Sequence, residues 1–454
     1  MASVRKKEFV PRQSVVNFVG RRARSTMWAL LISASVLLGF SIPSHAASTY
    51  AVIYSFIGTD TVTQFDGDLP MAGVVADSSG NLYGTTEVGG ANDAGTVFQL
   101  TPPATSGAPW TETILFSFNG STGTGANPFA SLLASKKVTL YGTVTNGFTN
   151  AAGGVFSLTP PATTGGAWTE TVPHVFATGG TDGLTPTANL IPGPLGLAFG
   201  TTSAGGTSGL GAVFALKRPT TAGGSWAEKV IHSFTGGPDG QAPASSLLAA
   251  GRLMYGTTPF GGAGTACNNG CGSVFALATP SSPGGPWTER VIYSFTAGSD
   301  GFKPSAALTI DKTGTIYGTA GGGAFGAGTV FSLTPPSSGH SAWTENTLYS
   351  FAGNSDGSDP DVGGLVIGSG GVLYGTTIGG GTEDFGTVFS LTPPATAGGL
   401  WTKTILHSFA DGTDGADPLG GLLLSNGTLY GVTLFGGGSA NCPTGCGTVF
   451  QVTL

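Results

Sequence analysis

The chain has 454 residues, of which 79 are Gly and 28 are Pro, and only 9% are Asp, Glu, Lys or Arg. Because 40% of the residues are hydrophobic and glycine has no three-residue period, the composition excludes a disordered polymer and collagen. The formal charge of −7 argues against a nucleic-acid partner, and the wealth of turn-forming Gly favours an all-β chain of short strands.

The first 46 residues predict a secretory signal peptide. An apolar run covers 28–42, and Ser44 and Ala46 provide small residues for cleavage. An uncleaved anchor is the alternative, but about 15 apolar residues are short for a bilayer. The basic residues before the run are Arg5, Lys6, Lys7, Arg12, Arg21, Arg22 and Arg24. We therefore expect a secreted or periplasmic protein, exported by the general secretory or the twin-arginine route.

Cleavage would also change the charge balance. Residues 47–454 carry 10 basic and 23 acidic residues, a net charge of −13. An anionic membrane surface is therefore disfavoured as a partner, as nucleic acid is. No later segment is apolar over a membrane-spanning length, so we expect no membrane insertion after cleavage.

A repeat of 56 to 62 residues runs along the rest of the chain. Three markers each occur seven times: a Tyr-Gly-Thr-Thr-like motif, a Val-Phe pair, and an aromatic-or-His, Ser, Phe ending. The first marker begins at Tyr83, Tyr141, Phe199, Tyr255, Tyr317, Tyr374 and Tyr430. Seven copies of one unit indicate a repeat architecture.

Each unit reads as four short strands bounded by Gly, Pro and Asp. Examples are 243–248, 253–258, 328–333 and 287–295, taken as the first to fourth strand of a unit. Strands of about six residues at this period are typical of one four-stranded sheet per repeat. The small residues of the first strands suit a crowded central axis, as in Ala306-Ala307 and Gly363-Gly364.

The ends of the repeat array distinguish a closed ring from an open solenoid. The segment 49–56 has the pattern of a fourth strand, and 450–454 that of a third strand. The N-terminal strand can therefore complete the last sheet and remove the free edges. We predict an all-β, seven-bladed β-propeller over 47–454, with a β-solenoid as the alternative.

The motifs carry a family resemblance. Leu-Tyr-Gly-Thr-Thr, Gly-Thr-Val-Phe-Ser-Leu-Thr-Pro-Pro, Trp-Thr-Glu and Tyr-Ser-Phe recur in fixed order from Tyr50 to Leu454. The chain thereby resembles the GloVer (Gloeobacter/Verrucomicrobia-type) tandem-repeat family of exported bacterial proteins. The resemblance implies export and a propeller-like fold, and it implies no particular chemistry.

Six Asp-Gly dipeptides stand four residues before the Pro that opens a first strand, with Thr124 in the seventh position. Carboxylates around one mouth of the channel could bind calcium or a polyhydroxylated ligand. The competing interpretation is a turn in which Asp caps its own backbone. Calcium is the one cofactor that the sequence suggests. The predicted ligand residues are Asp66, Asp182, Asp239, Asp300, Asp356 and Asp414.

The four cysteines form two Cys-x3-Cys pairs in equivalent, extended loops of units four and seven. We expect disulfides between Cys267 and Cys271 and between Cys442 and Cys446, because export favours oxidation. Zinc is the alternative, weakened by the lack of a nearby His.

No catalytic set converges from unique positions. Three histidines, His174, His232 and His407, take the slot that Tyr fills in other units. Glutamates two residues after Trp likewise recur at one position of the repeat, as a structural feature would. The six tryptophans at one equivalent position predict packing between blades. Acids that break the repeat, and could serve a glycosidase, are Glu87, Asp93, Glu383 and Asp384.

The sequence thus favours a monomeric module that binds extracellular glycan or protein. A polysaccharide hydrolase or lyase and a purely structural exported protein are the alternatives, and whether the protein is an enzyme stays open with non-catalytic binding preferred.

Overall fold

Seven four-stranded antiparallel sheets, each formed by one repeat, make up the fold. The computed structural model describes residues 48–454 except 60–64, 106, 121–122, 136–137, 149–150, 164, 180, 194–195, 220–225, 283–284, 338–341, 361 and 397. The predicted signal peptide, residues 1–46, lies outside the described residues, so the division of the chain there stays a prediction. The seven-bladed β-propeller is confirmed.

The blades are numbered in chain order and their strands are given from the axis outward. Blade 1 comprises Val75–Ala76, Leu82–Thr86, Thr96–Thr101 and Thr111–Ser117. Blade 2 comprises Leu133–Ala134, Leu140–Asn146, Ala151–Thr159 and Thr169–Ala177. Blade 3 comprises Ile191–Pro192, Ala198–Thr202, Ala212–Lys217 and Ala227–Ser233. Blades 4 and 5 comprise Leu248–Ala250, Leu253–Thr258, Ser273–Ala278 and Thr288–Ser294; and Thr309–Ile310, Ile316–Ala320, Thr329–Thr334 and Thr344–Ser350. Blades 6 and 7 comprise Val366–Ile367, Leu373–Thr377, Thr387–Thr392 and Thr402–Ser408; and Leu423–Ser425, Thr428–Thr433, Thr448–Thr453 and Thr49–Ser55.

Short elements link the blades on one face. Ala126–Pro128 pairs with the second strand of blade 2, and two-residue strands pair Gly67–Asp68 with Val88–Gly89 and Gly183–Leu184 with Ala204–Gly205. The 3-10 turns Gly237–Asp239, Asn354–Asp356 and Gly412–Asp414 lie in links between blades, whereas the turn Ser369–Gly371 joins the first and second strands of blade 6. Within the described residues, no helix is long and apolar enough to span a membrane.

The third strand of each blade is buried and the fourth is half exposed, as their sequences dictate. Thr329–Thr334 consists of β-branched and apolar residues, buried except at the last Thr, and Pro335-Pro336 follows it. Thr288–Ser294 alternates exposed and half-buried positions at its start. A bulge between Val274 and Phe275 leaves one outer-strand residue unpaired, which directs Tyr293 toward the turn that leaves the blade.

The first strands are shorter than predicted. We expected a strand over 243–248, but regular pairing in blade 4 covers only Leu248–Ala250. Pro243 has no N–H to donate, and Ser245 and Ser246 after it are joined by side-chain hydrogen bonds to their own second strand and to the neighbouring blade, without a backbone ladder. Thr201 Oγ1 donates to the carbonyl oxygen of Ser245 at 3.1 Å, and the Asn189 N–H donates to Ser246 Oγ at 3.1 Å. The innermost segments therefore join blades to one another.

The N-terminal strand completes blade 7, as the sequence predicted. Thr49–Ser55 pairs antiparallel with Thr448–Thr453, with Thr49 opposite Thr453 and Ser55 opposite Thr448. The ring of Phe56 is fully buried beyond the end of this strand and contacts Phe98 of blade 1 at 5.1 Å between centroids. The strand therefore closes the ring by backbone pairing and by side-chain packing.

One aromatic contact recurs at all seven blade junctions. The Phe that ends each fourth strand meets the third-strand Phe of the next blade edge to face, with centroids 5.1 to 5.2 Å apart. The second-strand Gly lies beneath the same third-strand ring: a Cβ on Gly256 would lie 2.5 Å from the Phe275 ring. The Gly of the Tyr-Gly-Thr-Thr motif is therefore required by the Phe of the Val-Phe pair.

The tryptophans pack between blades, as their repeat-locked position predicted. Five of them meet a second-strand aromatic ring of the preceding blade, for example Trp343 on Tyr255 at 5.8 Å between centroids. The sixth, Trp168, packs into a core cluster with Tyr83. These contacts pack the outer part of six of the seven junctions, and the junction between blades 6 and 7 has Tyr50 instead.

Candidate functional site: the blade junctions and the axial cavity

Each of the six predicted Asp residues is hydrogen-bonded to a Tyr or His side chain from the outer strand of the preceding blade. Asp66 accepts hydrogen bonds from the Tyr54 hydroxyl at 3.0 Å and from the Ile57 N–H at 2.8 Å. The other five repeat both contacts, with His174, His232, Tyr293, Tyr349 and His407 supplying the ring. The carboxylates therefore fix the turns in which the fourth strands end.

The seventh junction loses both partners together. Thr124 replaces Asp and Phe116 replaces the ring donor, and the Thr124 hydroxyl accepts the Asn119 N–H at 3.1 Å. The hydrogen bond from the backbone N–H after the fourth strand is kept, whereas the hydrogen bond from a Tyr or His side chain is lost. This pattern fits a turn-capping role for the Asp position.

A third side chain reaches the same place from the next blade. In junction 2/3, between blades 2 and 3, a carboxylate oxygen of Glu228 lies within 4.8 Å of the ligand atoms of His174 and Asp182. His232, Asp239 and Glu289 form the same arrangement in junction 3/4. In the sequence, the rings, the Asp and the Glu stand apart as separate features of the repeat. In five of the six junctions the ring stands seven or eight residues before the Asp, and this near-regular separation is the sequence signal that links the two.

Other junctions place different groups at the Glu position. In junction 5/6, Lys403 Nζ forms an ion pair with Asp356 Oδ1 at 2.9 Å and also contacts the Asp356 carbonyl oxygen. In junction 6/7, the ring of Tyr50 stacks on His407 with centroids 3.5 Å apart. The position therefore accepts an acid, a base or a phenol without change of fold.

Burial and neighbouring charges shift the pKa values of the side chains in the junctions. Burial raises the pKa of Glu289 to about 8, with the Asp239 carboxylate adding to the effect. Burial likewise raises the pKa of Glu228 to about 7. Burial opposes ionisation of Asp182 too, but hydrogen bonds from His174 and the backbone outweigh it and hold its pKa below the usual value. Burial lowers the pKa of His232 and of His407.

We expect Glu112→Gln to remove part of the pH dependence of stability. Burial, and then Asp66, raise the pKa of Glu112 from 4.5 to about 8 in the folded chain. The folded state therefore holds this proton more tightly, so its stabilising contribution is complete below about pH 4.5 and is lost as pH rises toward 8. Denaturant unfolding across this range should show a smaller decline for the variant than for the wild type.

Glu383→Gln is the matched control for that experiment, because Glu383 is exposed. A wild-type decline that Glu112→Gln leaves unchanged would contradict the assignment of the titration to this carboxyl group.

The six Asp residues do not meet at the axis. Among the described residues that line the axial cavity, none is one of the six. Each carboxylate serves its own junction, and the structure does not bring them together around one ion. Calcium binding at these positions stays a prediction.

The two predicted disulfides are present. Cys267 bonds to Cys271 and Cys442 to Cys446, and Cys271 and Cys446 are fully buried. Each closes a loop between the second and third strands of its blade. The second lies against the chain closure, since a Cβ on Gly58 would lie 2.9 Å from both of its sulfur atoms.

The acids that break the repeat lie in two loops of different blades. Asp93 accepts the Gly89 N–H at 3.1 Å and Asp384 accepts the Gly380 N–H at 2.8 Å, so both carboxylates shape their own loops. Glu383 is exposed beside Asp384, whereas Glu87 follows the second strand of blade 1. The catalytic hypothesis for these four residues stays a prediction.

The axis contains a cavity of about 660 Å3 lined mainly by the innermost segments of all seven blades, that is, the first strands and the residues just before them. Its glycine side lies on blades 1, 6 and 7, where backbones approach closely: a Cβ on Gly73 would lie 2.1 Å from the Gly421 carbonyl oxygen. Its polar side lies on blades 2 to 4. There the Ser131 N–H donates to Asn189 Oδ1 at 2.7 Å, and the Asn189 N–H to Ser246 Oγ.

Comparison with known proteins places the repeat in a family. The model of the Gloeobacter/Verrucomicrobia repeat matches residues 40–263, 169–361 and 340–454. The chain belongs to the Gloeobacter/Verrucomicrobia repeat family. The resemblance drawn from the recurring motifs is thereby confirmed, and in this member seven copies of the Gloeobacter/Verrucomicrobia repeat close into a propeller. No curated protein matches the sequence.

Two of the solved structures similar to this member of the Gloeobacter/Verrucomicrobia repeat family have low sequence identity to it. The PQQ-bound aldose sugar dehydrogenase of Streptomyces coelicolor is 13% identical with a TM-score of 0.41, over 90% of this chain and 99% of the other. A putative 6-phosphogluconolactonase from Bacteroides uniformis is 13% identical with a TM-score of 0.46, over 73% and 83%. Similarity at this level carries no inference about chemistry.

Proposed function

We propose that the protein is an exported binding module whose axial cavity takes a neutral, polyhydroxylated ligand, that is, a segment of extracellular glycan. The observation that supports this most directly is the composition of the cavity wall. Its volume of about 660 Å3 lies in the range of small-ligand sites, and none of the described lining residues is charged. A cavity of this size suits a sugar chain better than the surface of a folded protein.

The polar side of the wall offers hydrogen-bonding groups at fixed positions. Asn189 Oδ1 is occupied by the Ser131 N–H, which orients the amide, and its NH2 group can donate to a ligand. Thr187 Oγ1 is buried without a partner among the described residues. A sugar hydroxyl, which both donates and accepts, would satisfy these groups.

The apolar part of the wall complements the carbon face of a sugar ring. Phe129 and Met71 are half-buried at the positions directly after the opening prolines of blades 2 and 1. Aromatic and thioether side chains pack against C–H groups, while Asn189 fixes orientation. The cavity thus combines a polar and an apolar wall, as carbohydrate binding requires.

We expect Asn189→Ala and Phe129→Ala each to weaken glycan binding roughly tenfold, which corresponds to about 1.4 kcal/mol. The measurement is a glycan array with the purified protein, followed by titration calorimetry on the best oligosaccharide. Leu400→Ala is the control, because Leu400 is 90% exposed and is absent from the cavity wall.

An array without any ligand, or binding that neither cavity variant weakens, would refute the axial site. Binding to a protein partner that survives both variants would instead favour an interaction through the outer surface.

N-terminal sequencing of the exported chain should begin at Ala47, and retention of residues 1–46 in the exported protein would contradict cleavage.

A further inference from the structure

Two neighbouring junctions combine three kinds of metal-binding group that the other junctions separate. In junctions 2/3 and 3/4, one imidazole and two carboxylates offer ligand atoms that all lie within 4.8 Å of one another. The elsewhere common Tyr is replaced by His at these positions, and Glu is kept. Among the described residues, these two junctions alone supply His, Asp and Glu together.

The distances fit a shared ion. His174 Nε2 lies 3.2 Å from Asp182 Oδ2, and His232 Nε2 lies 3.1 Å from Asp239 Oδ1. Two ligand atoms at about 2.1 Å from a zinc ion lie roughly 3.0 to 3.4 Å apart for bond angles between octahedral and tetrahedral. The ring and the Asp carboxylate therefore already stand at the spacing of adjacent ligands.

The scaffold fixes the imidazole in this orientation. His174 and His232 each pack edge to face on the Phe two residues later, with centroids 4.7 and 4.6 Å apart. Each Asp is held by a backbone N–H as well as by the ring. The Phe rings and the backbone N–H groups, which are not ligands themselves, therefore help to position the imidazole and the Asp carboxylate.

Each Glu has one carboxylate oxygen without a hydrogen-bond partner among the described residues. One oxygen each of Glu228 and Glu289 is buried and makes no hydrogen bond within the described part of the chain. Two carboxylates side by side without a cation are unfavourable, and an unpartnered buried oxygen carries a further cost. The same orphaned oxygen occurs at Glu112 and Glu170, where the imidazole is missing.

The repeat itself places a cation at this position in another junction. Lys403 replaces the Glu in junction 5/6, and its ammonium group contacts Asp356 from the blade that follows. A positive charge between the two blades is therefore compatible with the backbone of the junction. Where the chain supplies Glu228 or Glu289 instead of Lys, the junction lacks that ammonium group.

We propose that junctions 2/3 and 3/4 each bind one divalent transition-metal ion through one imidazole nitrogen and two carboxylates. Imidazole favours such ions over calcium, which takes six to eight oxygen ligands. Two carboxylates and a neutral imidazole balance the double positive charge. The side chains of His174, Asp182, His232 and Asp239 are 17 to 19% exposed, which leaves an open ligand position for water or a bound group.

The test uses the full protein without a polyhistidine tag and Zn2+ as the probe. Titration calorimetry and elemental analysis after dialysis should give about two Zn2+ per chain for the wild type. His174→Tyr and His232→Tyr should each lower this to about one, and the double variant to none. Tyr already occupies the same slot in three junctions, so the fold should tolerate the substitution.

Two further variants separate metal binding from stability. Glu228→Lys reproduces the native Lys403 arrangement, and it should abolish one site while the far-UV circular dichroism stays unchanged. His407→Tyr is the matched control, because Tyr50 takes the Glu position in that junction, and it should leave about two ions bound. Bound Co2+ should give visible absorption in the wild type that the double His variant loses.

Absence of bound Zn2+ in a folded wild-type protein would overturn the proposal. So would a stoichiometry that the double His variant leaves unchanged, or Ca2+ displacing Zn2+ at equal concentration. Because the axial variants Asn189→Ala and Phe129→Ala touch neither junction, failure of glycan binding and failure of metal binding are separate results.

Discussion

A chain that begins at residue 58 should lose the cooperative fold that a chain beginning at residue 48 retains. The ten missing residues include the fourth strand of blade 7, Thr49–Ser55, and the fully buried Phe56. Loss of the Phe56 ring alone costs about 3–5 kcal/mol, against a total stability of about 5–15 kcal/mol for a typical domain. The third strand, Thr448–Thr453, would also become a free edge.

Thermal unfolding and size-exclusion chromatography measure this result. We expect a lower and broader transition, with oligomers formed through the exposed strand. Phe56→Ala is the milder variant, since it keeps the backbone pairing and removes only the ring. A monomer with wild-type melting temperature after the deletion would show that closure by this strand does not hold the ring together.

Phe275→Ala should lower the free energy of unfolding by about 3–5 kcal/mol. The ring is fully buried, lies over Gly256 of its own blade, and meets Phe234 of the preceding blade at 5.1 Å between centroids. Its removal leaves a cavity in blade 4 and breaks the aromatic contact across junction 3/4. Urea unfolding of the purified protein, with an unchanged slope, measures the difference.

The matched experiment enlarges the glycine beneath the ring. Gly256→Ala should cost about 1–3 kcal/mol, because its Cβ would overlap the Phe275 ring. In the double variant Gly256→Ala and Phe275→Leu, we expect the two effects to be less than additive. Full additivity would contradict direct packing of the ring on Gly256.

Much of the architecture could be predicted from the sequence because the signals repeat. The second strand of blade 4 was predicted over 253–258 and the structure has Leu253–Thr258. The pairing of the terminal strands followed from the position of each within the repeat. The first strand, predicted over 243–248, was wrong in extent, because Ser245 and Ser246 make hydrogen bonds to the adjacent blade 3 and no regular backbone pairing within their own sheet. Small residues in the first strands indicate close packing at the axis, but they do not indicate which segment their side chains will bond to.

The sites were less accessible to sequence analysis because they depend on three blade elements at once. The Asp residues were recognised by their spacing from Pro, and the histidines by their place in the Tyr slot. Their hydrogen bond joins a strand to the turn after it, and the Glu arrives from a blade further along the chain. A hydrophobic pattern carries no information on such contacts. The asymmetry of the axial wall, with Asn189 opposite glycine, likewise required the closed ring.

The constancy of the aromatic contact at all seven junctions has a consequence for variation within the ring. The Phe centroid distances stay at 5.1 to 5.2 Å while the group beside them changes from Glu to Lys or Tyr. The Phe pair of a junction and the group that sets its charge are therefore different residues. A junction can gain or lose a charge while the distance between its Phe rings stays the same, so the seven positions can diversify independently.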